Sequence, residues 1–482
     1  MDLDHDACYR AISVRDPRFD GRLFTAVKTT RIYCRPICPA RTPRSENIVF
    51  YPTAAAAQEA GFRPCLRCRP ETAPDLGAWR GVSNTVSRAL SLIEMGALDE
   101  ASIGALADRL GVGERQLRRL FRQHLGASPI AVAQTRRVLL AKQLIHETSL
   151  PMTELAMAAG FGSLRRFNET FSTLFQRPPT ALRRSTGGDI SAGVHGEVTL
   201  LLRYRPPYDW RAMLDFLRAR AIAGVESVEG DVYRRTIGLN DLHGTVAVQP
   251  ADGNALRAVV RFPKLSALPN IIARLRRVFD LAADPDAIAL QLTKDAALAP
   301  LVAARPGLRV PGAWDGFELA VRTVLGQQIT VPAAIGLAGR LVARFGEKLR
   351  GPDPILTHVF PEPGVLADAD LSILGMPKSR AKTLSAVAAA VVADPQIFAA
   401  GRSLEEAVAQ LRALPGIGEW TAQYIAMRQL REPDAFPAAD IGLMRAMVNS
   451  KGVRPSANQL LTHAEQWRPW RAYAAQHLWA SA

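Results

Sequence analysis

The sequence predicts a multidomain protein built from four modules. Three observations predict it: 482 residues are too many for one hydrophobic core, four of the five cysteines lie close together near the start, and apolar residues recur at three- and four-residue spacing in two long regions. The modules are a small α+β domain around the cysteines, an all-α domain with paired helix-turn-helix motifs, a second α+β domain and an all-α domain. Their predicted bounds are 1–78, 82–185, 197–283 and 284–482.

The composition favours a soluble protein that binds a polyanion. Lys and Arg outnumber Asp and Glu by 60 to 45, which gives a net charge of +15, and such an excess is typical of nucleic-acid binding. Hydrophobic residues make up 48% and charged residues 22%, so the chain is not disordered as a whole. The start has no secretory signal, and the longest apolar stretch, 386–393, is too short for a bilayer. We therefore expect a cytoplasmic protein without a membrane partner.

The first module carries a predicted metal site. Cys34 and Cys38 are separated by three residues, Cys65 and Cys68 by two, and 26 residues lie between the pairs. Two such pairs can close a tetrahedral four-cysteine site around one Zn²⁺ ion. The remaining Cys8 lies outside the pattern and is expected to be a small buried hydrophobe.

The surroundings of the cysteines leave two roles open for this zinc site. Seven arginines and two glutamates lie between residues 31 and 70, which gives a local charge of +5. A zinc-bound cysteine is a thiolate and hence a nucleophile, and arginines would bring a phosphate group to it. A purely structural zinc ribbon is the commoner use of four cysteines.

The cysteines stand in two distinctive segments, 24–38 (FTAVKTTRIYCRPIC) and 60–68 (AGFRPCLRC). These segments closely resemble the N-terminal domain of the Ada adaptive-response regulators. The resemblance implies that Cys34 takes a methyl group irreversibly from a DNA methylphosphotriester, and that the other three cysteines of the pairs are the remaining ligands. Zinc with four thiolates carries a double negative charge, and methylation removes one unit of it. We hypothesise that methylation of Cys34 strengthens DNA binding.

An internal duplication predicts the second module. Residues 103–112 (IGALADRLGV) match residues 152–161 (MTELAMAAGF). In each repeat an apolar helix is followed by a glycine, Gly111 or Gly160, and then by a second helix. Glycine fits the left-handed backbone of such a turn, and the second helix of the motif can enter a DNA major groove.

Polar residues on the two second helices are the predicted DNA contacts: Arg115 and Arg118 in the first, Arg165 and Arg166 in the second. Arginine can pair with guanine edges, although contact with phosphate or solvent is the commoner role of any single arginine. The two motifs, joined by a helix over 129–147, resemble the AraC-type regulators, and the same module follows the methyl acceptor in Ada. We expect double-stranded promoter DNA and RNA polymerase as partners, and a monomeric protein.

The second half of the chain departs from the Ada pattern. Ada proteins usually end in a second methyl-acceptor domain with its own reactive cysteine, but no cysteine follows Cys68 here. Direct reversal of alkylated guanine by that route is therefore excluded. An aperiodic segment at 185–193 predicts a linker. The elements predicted after it form the α+β module, with strands at 198–204 and 245–249 and helices at 210–223 and 268–279.

The last module contains a helix-hairpin-helix motif at 414–422 (LPGIGEWTA). Gly416 and Gly418 allow a tight turn between two helices, and the backbone N–H groups of this turn can hold a DNA phosphate. Asp440 follows about 20 residues after the hairpin; alone, it would indicate a helix cap. The hairpin and Asp440 together resemble the helix-hairpin-helix glycosylase superfamily, which implies that Asp440 stabilises an oxocarbenium-like sugar during base release.

Four further motifs lie in this half: RPPYDW at 205–210, AARPGLRVPG at 303–312, LGMP at 374–377 and WRPWRAY at 467–473. They resemble AlkA, the broad-specificity 3-methyladenine glycosylase, and the resemblance covers nearly all of 197–482. It implies a pocket of aromatic rings that stack on cationic alkylated bases flipped out of the duplex. The implied pocket residues are Trp420, Tyr424 and Trp479, although aromatic residues at helical spacing are more often core residues.

Two positions refine this resemblance. Trp420 stands where bifunctional glycosylase-lyases have the lysine that forms a Schiff base, so we expect a monofunctional enzyme that leaves an abasic site. The segment 325–329 (LGQQI) matches the DNA insertion loop of AlkA, which has Leu at the wedge where this chain has Gln328. Gln327 and Gln328 are therefore predicted DNA contacts, and Gln328 can fill the vacated stack and bond to the orphaned base.

The sequence as a whole predicts a protein of DNA alkylation repair and its regulation. The predicted activities are release of bases of the 3-methyladenine and 7-methylguanine class through Asp440, single-turnover methyl transfer to Cys34, and promoter binding by the helix-turn-helix motifs. Two alternatives remain open. One is a methylation-activated transcription regulator whose glycosylase half only binds DNA; the other is a glycosylase whose first half only targets it.

Overall fold

The chain divides into two units in the computed structural model. The first comprises Met1–Tyr204 with Lys264–Ala273, and the second comprises Arg205–Pro263 with Arg274–Ala482. The predicted linker at 185–193 lies outside the described residues. Among the described helices, none has the length and apolar composition needed to cross a membrane. The described residues are 4–73, 84–183, 197–239, 241–351, 353–399, 403–448 and 452–481.

A four-stranded sheet with two helices begins the first unit. Its elements are α1 (His5–Ser13), β1 (Phe24–Val27), β2 (Ile32–Cys34), β3 (Ile48–Tyr51), α2 (Ala54–Glu59) and β4 (Arg63–Pro64). The strand order is β3-β1-β2-β4, with β1 antiparallel to β2 and β3, and β2 parallel to β4. Side chains alternate along a strand, so Phe24, Ala26 and Tyr33 face the core beside Phe62. The sheet places Cys34 at the end of β2 and confirms the α+β class predicted for this module.

Two helix-turn-helix motifs follow in the same unit. Its further elements are α3 (Asn84–Glu94), α4 (Ala97–Glu100), α5 (Ile103–Arg109), α6 (Glu114–Leu125), α7 (Pro129–Glu147), α8 (Met152–Ala158), α9 (Leu164–Phe175) and β5 (Glu197–Arg203). The motifs are α5–α6 and α8–α9, and α7 joins them with the bounds that the sequence predicts. Gly111 and Gly160 have φ of +67° and +87° at the turns, which confirms the predicted left-handed backbone.

The residues before α6 and α9 and the apolar spacing within them explain where these helices begin and which face of each is buried. Gly113 precedes α6, whereas the side chain of Ser163 accepts the backbone N–H of Arg166 and begins α9. In each helix three apolar residues at four-residue spacing are buried. These residues are Leu117, Phe121 and Leu125 in α6, and Phe167, Phe171 and Phe175 in α9. Their burial turns the polar residues of both helices outward.

An antiparallel sheet begins the second unit. The helix α10 (Trp210–Arg218) is followed by the strands β6 (Glu226–Glu229), β7 (Val232–Leu239), β8 (Leu242–Ala251) and β9 (Ala255–Arg261). Neighbouring strands β6, β7, β8 and β9 are all antiparallel. The sequence prediction recognised only β8 among these four strands. It missed β7 because two arginines interrupt its apolar pattern, and one of them, Arg235, is buried by ion pairs rather than exposed.

The rest of the second unit is helical, as predicted. It includes the end of α11 (Leu268–Val278), whose residues up to Ala273 belong to the first unit. Its further elements are α12 (Pro285–Leu292), α13 (Ala299–Ala304), α14 (Gly316–Leu325), α15 (Val331–Phe345), α16 (Pro363–Asp368), α17 (Lys378–Ala393), α18 (Leu404–Arg412), α19 (Glu419–Ile425), a π-helical turn (Ala426–Leu430), α20 (Ile441–Ala446), α21 (Ala457–Ala464) and α22 (Arg471–Ser481). The helix predicted at 210–223 is shorter, because the backbone N–H of Ile222 bonds to the Glu226 carboxylate instead of continuing α10.

Candidate functional site

The four cysteines of the two predicted pairs meet in one cluster. Their sulfur atoms lie within 4.8 Å of one another, which suits the tetrahedral geometry of zinc. The backbone N–H of Arg35 donates to Cys68 Sγ, and that of Arg67 donates to Cys65 Sγ, both at 3.3 Å. Such outer donors stabilise negative charge on ligand atoms. The donor set therefore fits one zinc ion held by four thiolates.

Accessibility divides the four cysteines into two groups. Cys65 and Cys68 are buried, whereas Cys34 and Cys38 are partly exposed. Hydrogen bonding to Cys38, the largest cause, raises the pKa of Cys34, and the same pairing lowers the pKa of Cys38 to about 7. Four neighbouring thiols share protons in this way, so a bound cation is needed for all of them to be thiolates at once. An accessible nucleophile in this cluster has to be Cys34 or Cys38.

The arginines around the cysteines have two different roles. Arg35 forms an ion pair with the buried Asp20 and donates to Thr72 Oγ1 at 2.6 Å. Arg69 pairs with Glu71. Arg35 and Arg69 therefore stabilise the fold through these contacts. The number of positive charges in the sequence could not distinguish them from arginines available to a phosphate. The side chains left exposed near the cluster are those of Arg31, Arg41, Arg44 and Arg67.

A buried ion pair ties the cysteine loop to α7. Lys142 Nζ lies 2.5 Å from Glu71 Oε2 and donates to the carbonyl oxygen of Cys65 at 2.9 Å. The side chains of Lys142 and Glu71 are 0% and 1% exposed. Arg69 bridges Glu71 and Glu147, the last residue of α7. The loop that carries two of the cysteines is therefore packed against the helix that joins the two helix-turn-helix motifs.

The four arginines predicted to contact DNA lie on the exposed faces of α6 and α9. Arg118 and Arg165 each form an exposed ion pair with a glutamate four residues away, whereas Arg115 and Arg166 are exposed at the first turns of their helices. Exposed pairs of this kind contribute little to stability. Exchanging them for phosphate or base contacts would therefore cost the fold little.

In the second unit Asp440 is held by three donors. It begins α20, and its Oδ1 accepts the backbone N–H of Leu443 at 3.0 Å. The indole Nε1 of Trp479 donates to Oδ1 at 2.9 Å, and that of Trp420 donates to Oδ2 at 2.8 Å. The carboxylate is thus fixed in orientation by α19, α20 and α22. Among the described residues no cation forms an ion pair with Asp440, so a charge on this side chain can act on a bound group.

The three predicted pocket aromatics lie together beside Asp440. The rings of Trp420 and Tyr424 are stacked, with centroids 5.1 Å apart and an interplanar angle of 12°, and Trp479 meets Tyr424 edge to face at 6.2 Å. All three line a cavity of about 630 Å³ that Asp440 also lines. This volume suits a ligand-binding pocket, and the three rings form part of its wall.

Arg428 and Phe216 also line this cavity, and neither was predicted from the sequence. The guanidinium of Arg428 lies 4.5 Å from the Phe216 centroid, 4.7 Å from that of Tyr424 and 5.6 Å from that of Trp479. Arg428 stands in the π-helical turn that continues α19, and such turns occur frequently at functional sites. The four-residue spacing of Trp420, Tyr424 and Arg428 was visible, but the π-helical turn that directs Arg428 inward was not.

Two acidic and two basic side chains, all buried except the half-buried Arg322, form another wall of the cavity. Arg235 pairs with Glu318 at 2.7 Å and with Glu226 at 3.6 Å, and Arg322 lies 2.5 Å from Glu226 and 2.6 Å from Glu318. Burial alone would raise the pKa of Glu318, but the guanidinium groups of Arg235 and Arg322 lower it to about 2. Two positive and two negative charges cancel, so this wall is polar without a net charge.

The predicted DNA insertion loop is attached to the hairpin. The side-chain amide of Gln327 donates to the carbonyl oxygen of Gly416 at 3.1 Å, and Arg380 donates to the carbonyl oxygen of Gln327. Gln328 is exposed and has a φ of +59°. The hairpin itself is anchored by Ile417, which is buried between two exposed glycines. Loop and hairpin therefore form one surface from which Gln328 projects.

Comparisons with known proteins cover the whole chain. Family models match the metal binding domain of Ada at 7–71, a helix-turn-helix domain at 106–185, the AlkA N-terminal domain at 199–315 and the HhH-GPD superfamily base excision DNA repair proteins at 321–472. The probable bifunctional transcriptional activator/DNA repair enzyme AlkA of Mycobacterium tuberculosis is 42% identical over 100% of this chain and 97% of its own length. The chain belongs to this bifunctional AlkA family.

Shorter relatives match the second half. DNA-3-methyladenine glycosylase 2 of Escherichia coli is 36% identical over 58% of this chain and 95% of its own length. The solved structure of a 3-methyladenine DNA-glycosylase from Archaeoglobus fulgidus shares the fold, with a TM-score of 0.52 and 23% identity over 58% of this chain and 97% of that one. The family models therefore confirm the four kinds of module predicted for this AlkA-family chain: zinc-binding, helix-turn-helix, AlkA N-terminal and helix-hairpin-helix.

The two hairpin glycines of this AlkA-family protein differ in whether a side chain could replace their hydrogen atom. Gly416 has a φ of +79°, and a Cβ placed there would lie 2.1 Å from Thr383 Oγ1, whereas a Cβ on Gly418 would meet nothing within 4 Å. We expect Gly416→Ala to lower the free energy of unfolding by about 1–3 kcal/mol, because both backbone strain and overpacking result. The matched control Gly418→Ala should cost much less. Chemical denaturation of both variants measures this difference, and equal losses would contradict it.

Proposed function

We propose that this protein releases alkylated bases from double-stranded DNA as a monofunctional glycosylase. The observation that supports this most strongly is the Asp440 side chain, which is fixed by two indole N–H groups at the edge of an aromatic cavity. An alkylated purine such as 3-methyladenine is cationic while bound to the sugar. Flat aromatic faces bind such a base by stacking and cation–π attraction, provided that it is flipped out of the duplex.

The chemistry needs one carboxylate and no general acid. As the bond between C1′ and the base nitrogen breaks, its electron pair moves to the base, which leaves as a neutral molecule. The sugar becomes positively charged, and Asp440 stabilises this charge electrostatically. Water then adds to C1′ and loses a proton, and the product is an abasic site. Trp420 stands next to Asp440 and has no amine, so no Schiff base forms on it and the strand stays intact.

Product analysis tests this activity. Methylated duplex DNA is incubated with the purified protein, and released bases are separated by chromatography while strand length is followed by denaturing electrophoresis. We expect free 3-methyladenine and 7-methylguanine, with strands that break only after alkali treatment. Release of bases with immediate strand breaks would indicate a lyase instead. The absence of any released base would favour a regulator whose second half only binds DNA.

We further propose that Cys34 accepts a methyl group from a DNA methylphosphotriester. Cys34 would be held with Cys38, Cys65 and Cys68 by one zinc ion, which keeps the sulfurs ionised. Its sulfur attacks the methyl carbon, the C–O bond breaks, and the phosphodiester leaves as an anion. The partial exposure of Cys34 and the exposed arginines beside the cluster support this role, since the arginines can hold the neighbouring phosphates.

The Cys34→Ser variant should lose methyl transfer completely, because a serine hydroxyl is not ionised at neutral pH. Mass spectrometry of the protein after incubation with methylated DNA measures one added methyl group on the wild type and none on the variant. Cys8→Ser is the matched control, because Cys8 is buried and lies outside the cluster. Methylation of the Cys34→Ser protein at another cysteine would contradict the assignment.

The regulatory part of the proposal rests on α6 and α9, which would enter adjacent major grooves of promoter DNA. Loss of one thiolate charge on methylation should strengthen this binding, since the cluster then repels phosphate less. DNA affinity of the methylated and unmethylated protein, measured at one salt concentration, tests the hypothesis. Equal affinities would contradict it.

A further inference from the structure

Arg428 is a buried positive charge in a pocket that, on the proposed function, receives cationic bases. Its side chain is 3% exposed and its guanidinium lies within 6 Å of three ring centroids. It donates to the carbonyl oxygen of Pro311 at 2.7 Å and to Gln476 Oε1 at 3.3 Å. Both acceptors are neutral. Among the described residues no carboxylate forms an ion pair with Arg428, so its charge is not neutralised.

This charge acts against the expected preference of the rings. Electron-rich faces attract a cation, but the guanidinium already lies against the rings of Tyr424 and Trp479 and uses part of that attraction. It also repels a positively charged ligand directly, and the buried surroundings of the guanidinium screen this repulsion less than bulk water would. Burial lowers the pKa of Arg428, yet arginine remains protonated in proteins. The pocket thus has a cation in its wall and the Asp440 carboxylate at its edge.

We propose that Arg428 is a specificity-determining residue: its charge weakens binding of the base while that base is cationic and favours the base once it has become neutral. When the glycosidic bond breaks, positive charge moves from the base to the sugar, away from Arg428 and towards Asp440. This movement of charge lowers the barrier to base release, because Arg428 repels the base less in the transition state than in the bound substrate. Arg428 lies against the rings of Tyr424 and Trp479 and acts through its field and through these rings, without taking part in bond breaking.

Binding of two small ligands tests the inference without any turnover. The probes are 3-methyladenine, which is neutral, and 3,9-dimethyladeninium, which carries a permanent positive charge, and titration calorimetry measures both affinities. We expect the wild type to prefer the neutral probe by about tenfold. Arg428→Met should reverse the preference, whereas Arg428→Lys should keep it because the charge remains. A wild-type preference for the cation would overturn the inference even if both variants failed to fold.

Kinetics separate this role from a purely structural one. With a duplex that carries one 7-methylguanine, Arg428→Met should lower the single-turnover rate of base release about tenfold and also lower the half-saturating enzyme concentration. A structural role predicts that both variants lose rate together and that the half-saturating concentration rises. Affinity for a duplex with a stable abasic analogue is the control, because no base enters the pocket, and it should not change. If the wild type releases no base, the proposed function fails, while the ligand preference still decides the inference.

Discussion

Replacing Asp440 with Asn should lower the single-turnover rate of base release from methylated DNA by about 10³-fold. The amide carries no charge to stabilise the developing oxocarbenium ion. It also has only one oxygen, so one of the two indole N–H groups that now bond to the carboxylate would face an N–H₂ group instead. The measurement is release of radiolabelled base at saturating enzyme, where DNA binding does not limit the rate.

The matched control for this variant is Asp370→Asn. Asp370 is also an aspartate that caps a helical turn, through the backbone N–H of Ser372, but it does not line the cavity. It should release bases at the wild-type rate. A rate for Asp440→Asn within a few-fold of the wild type would remove the carboxylate from the mechanism.

Replacing Lys142 with Met should destabilise the first unit by about 2–3 kcal/mol, because the buried Glu71 would lose its nearest cation and keep only Arg69, and the carbonyl oxygen of Cys65 would lose a donor. The double variant Lys142→Met, Glu71→Gln should recover part of this loss, since no uncompensated charge remains. Chemical denaturation of the two single variants and the double variant measures the coupling. Arg165→Met removes one partner of an exposed ion pair and should leave the denaturation midpoint unchanged.

The same Lys142 variant should weaken the hold on zinc. Lys142 donates to the carbonyl oxygen of Cys65, one of the two buried cysteines, so its loss frees the loop that carries Cys65 and Cys68. Release of zinc to a chromogenic chelator should be faster than from the wild type. An unchanged rate of release together with an unchanged midpoint would show that α7 and the cysteine loop are independent.

The parts of the fold that follow from local chemistry were predictable. The cysteine spacing, the glycine turns of the helix-turn-helix motifs and the bounds of α7 depend on residues close together in the chain. The cluster of the four cysteines was predicted from their spacing, whereas the grouping of Trp420, Tyr424 and Trp479 in one pocket was implied only by resemblance to a known family. Nothing in the local sequence places Trp479 within bonding distance of Asp440.

What the sequence could not predict depends on buried charge. Arg235 in β7 and Lys142 in α7 look like surface residues by type, and only long-range partners make their burial possible. Arg35 was counted among the charges available for phosphate, but Asp20 and Thr72 hold it. Arg428 was missed for the same reason, since the π-helical turn and the rings of Phe216 and Trp479, both distant in sequence, define its position.

One incubation tests the central claim that the two halves perform separate repair reactions through Asp440 and Cys34. Wild-type and Asp440→Asn proteins are each mixed with duplex DNA treated with a methylating agent that also alkylates phosphates. Released bases and the mass of the protein are then measured in the same sample. We expect the wild type to release 3-methyladenine and to gain one methyl group on Cys34, whereas Asp440→Asn should gain the methyl group but release almost no base. Release of base by Asp440→Asn at the wild-type rate, or a wild type that does neither reaction, would contradict this claim.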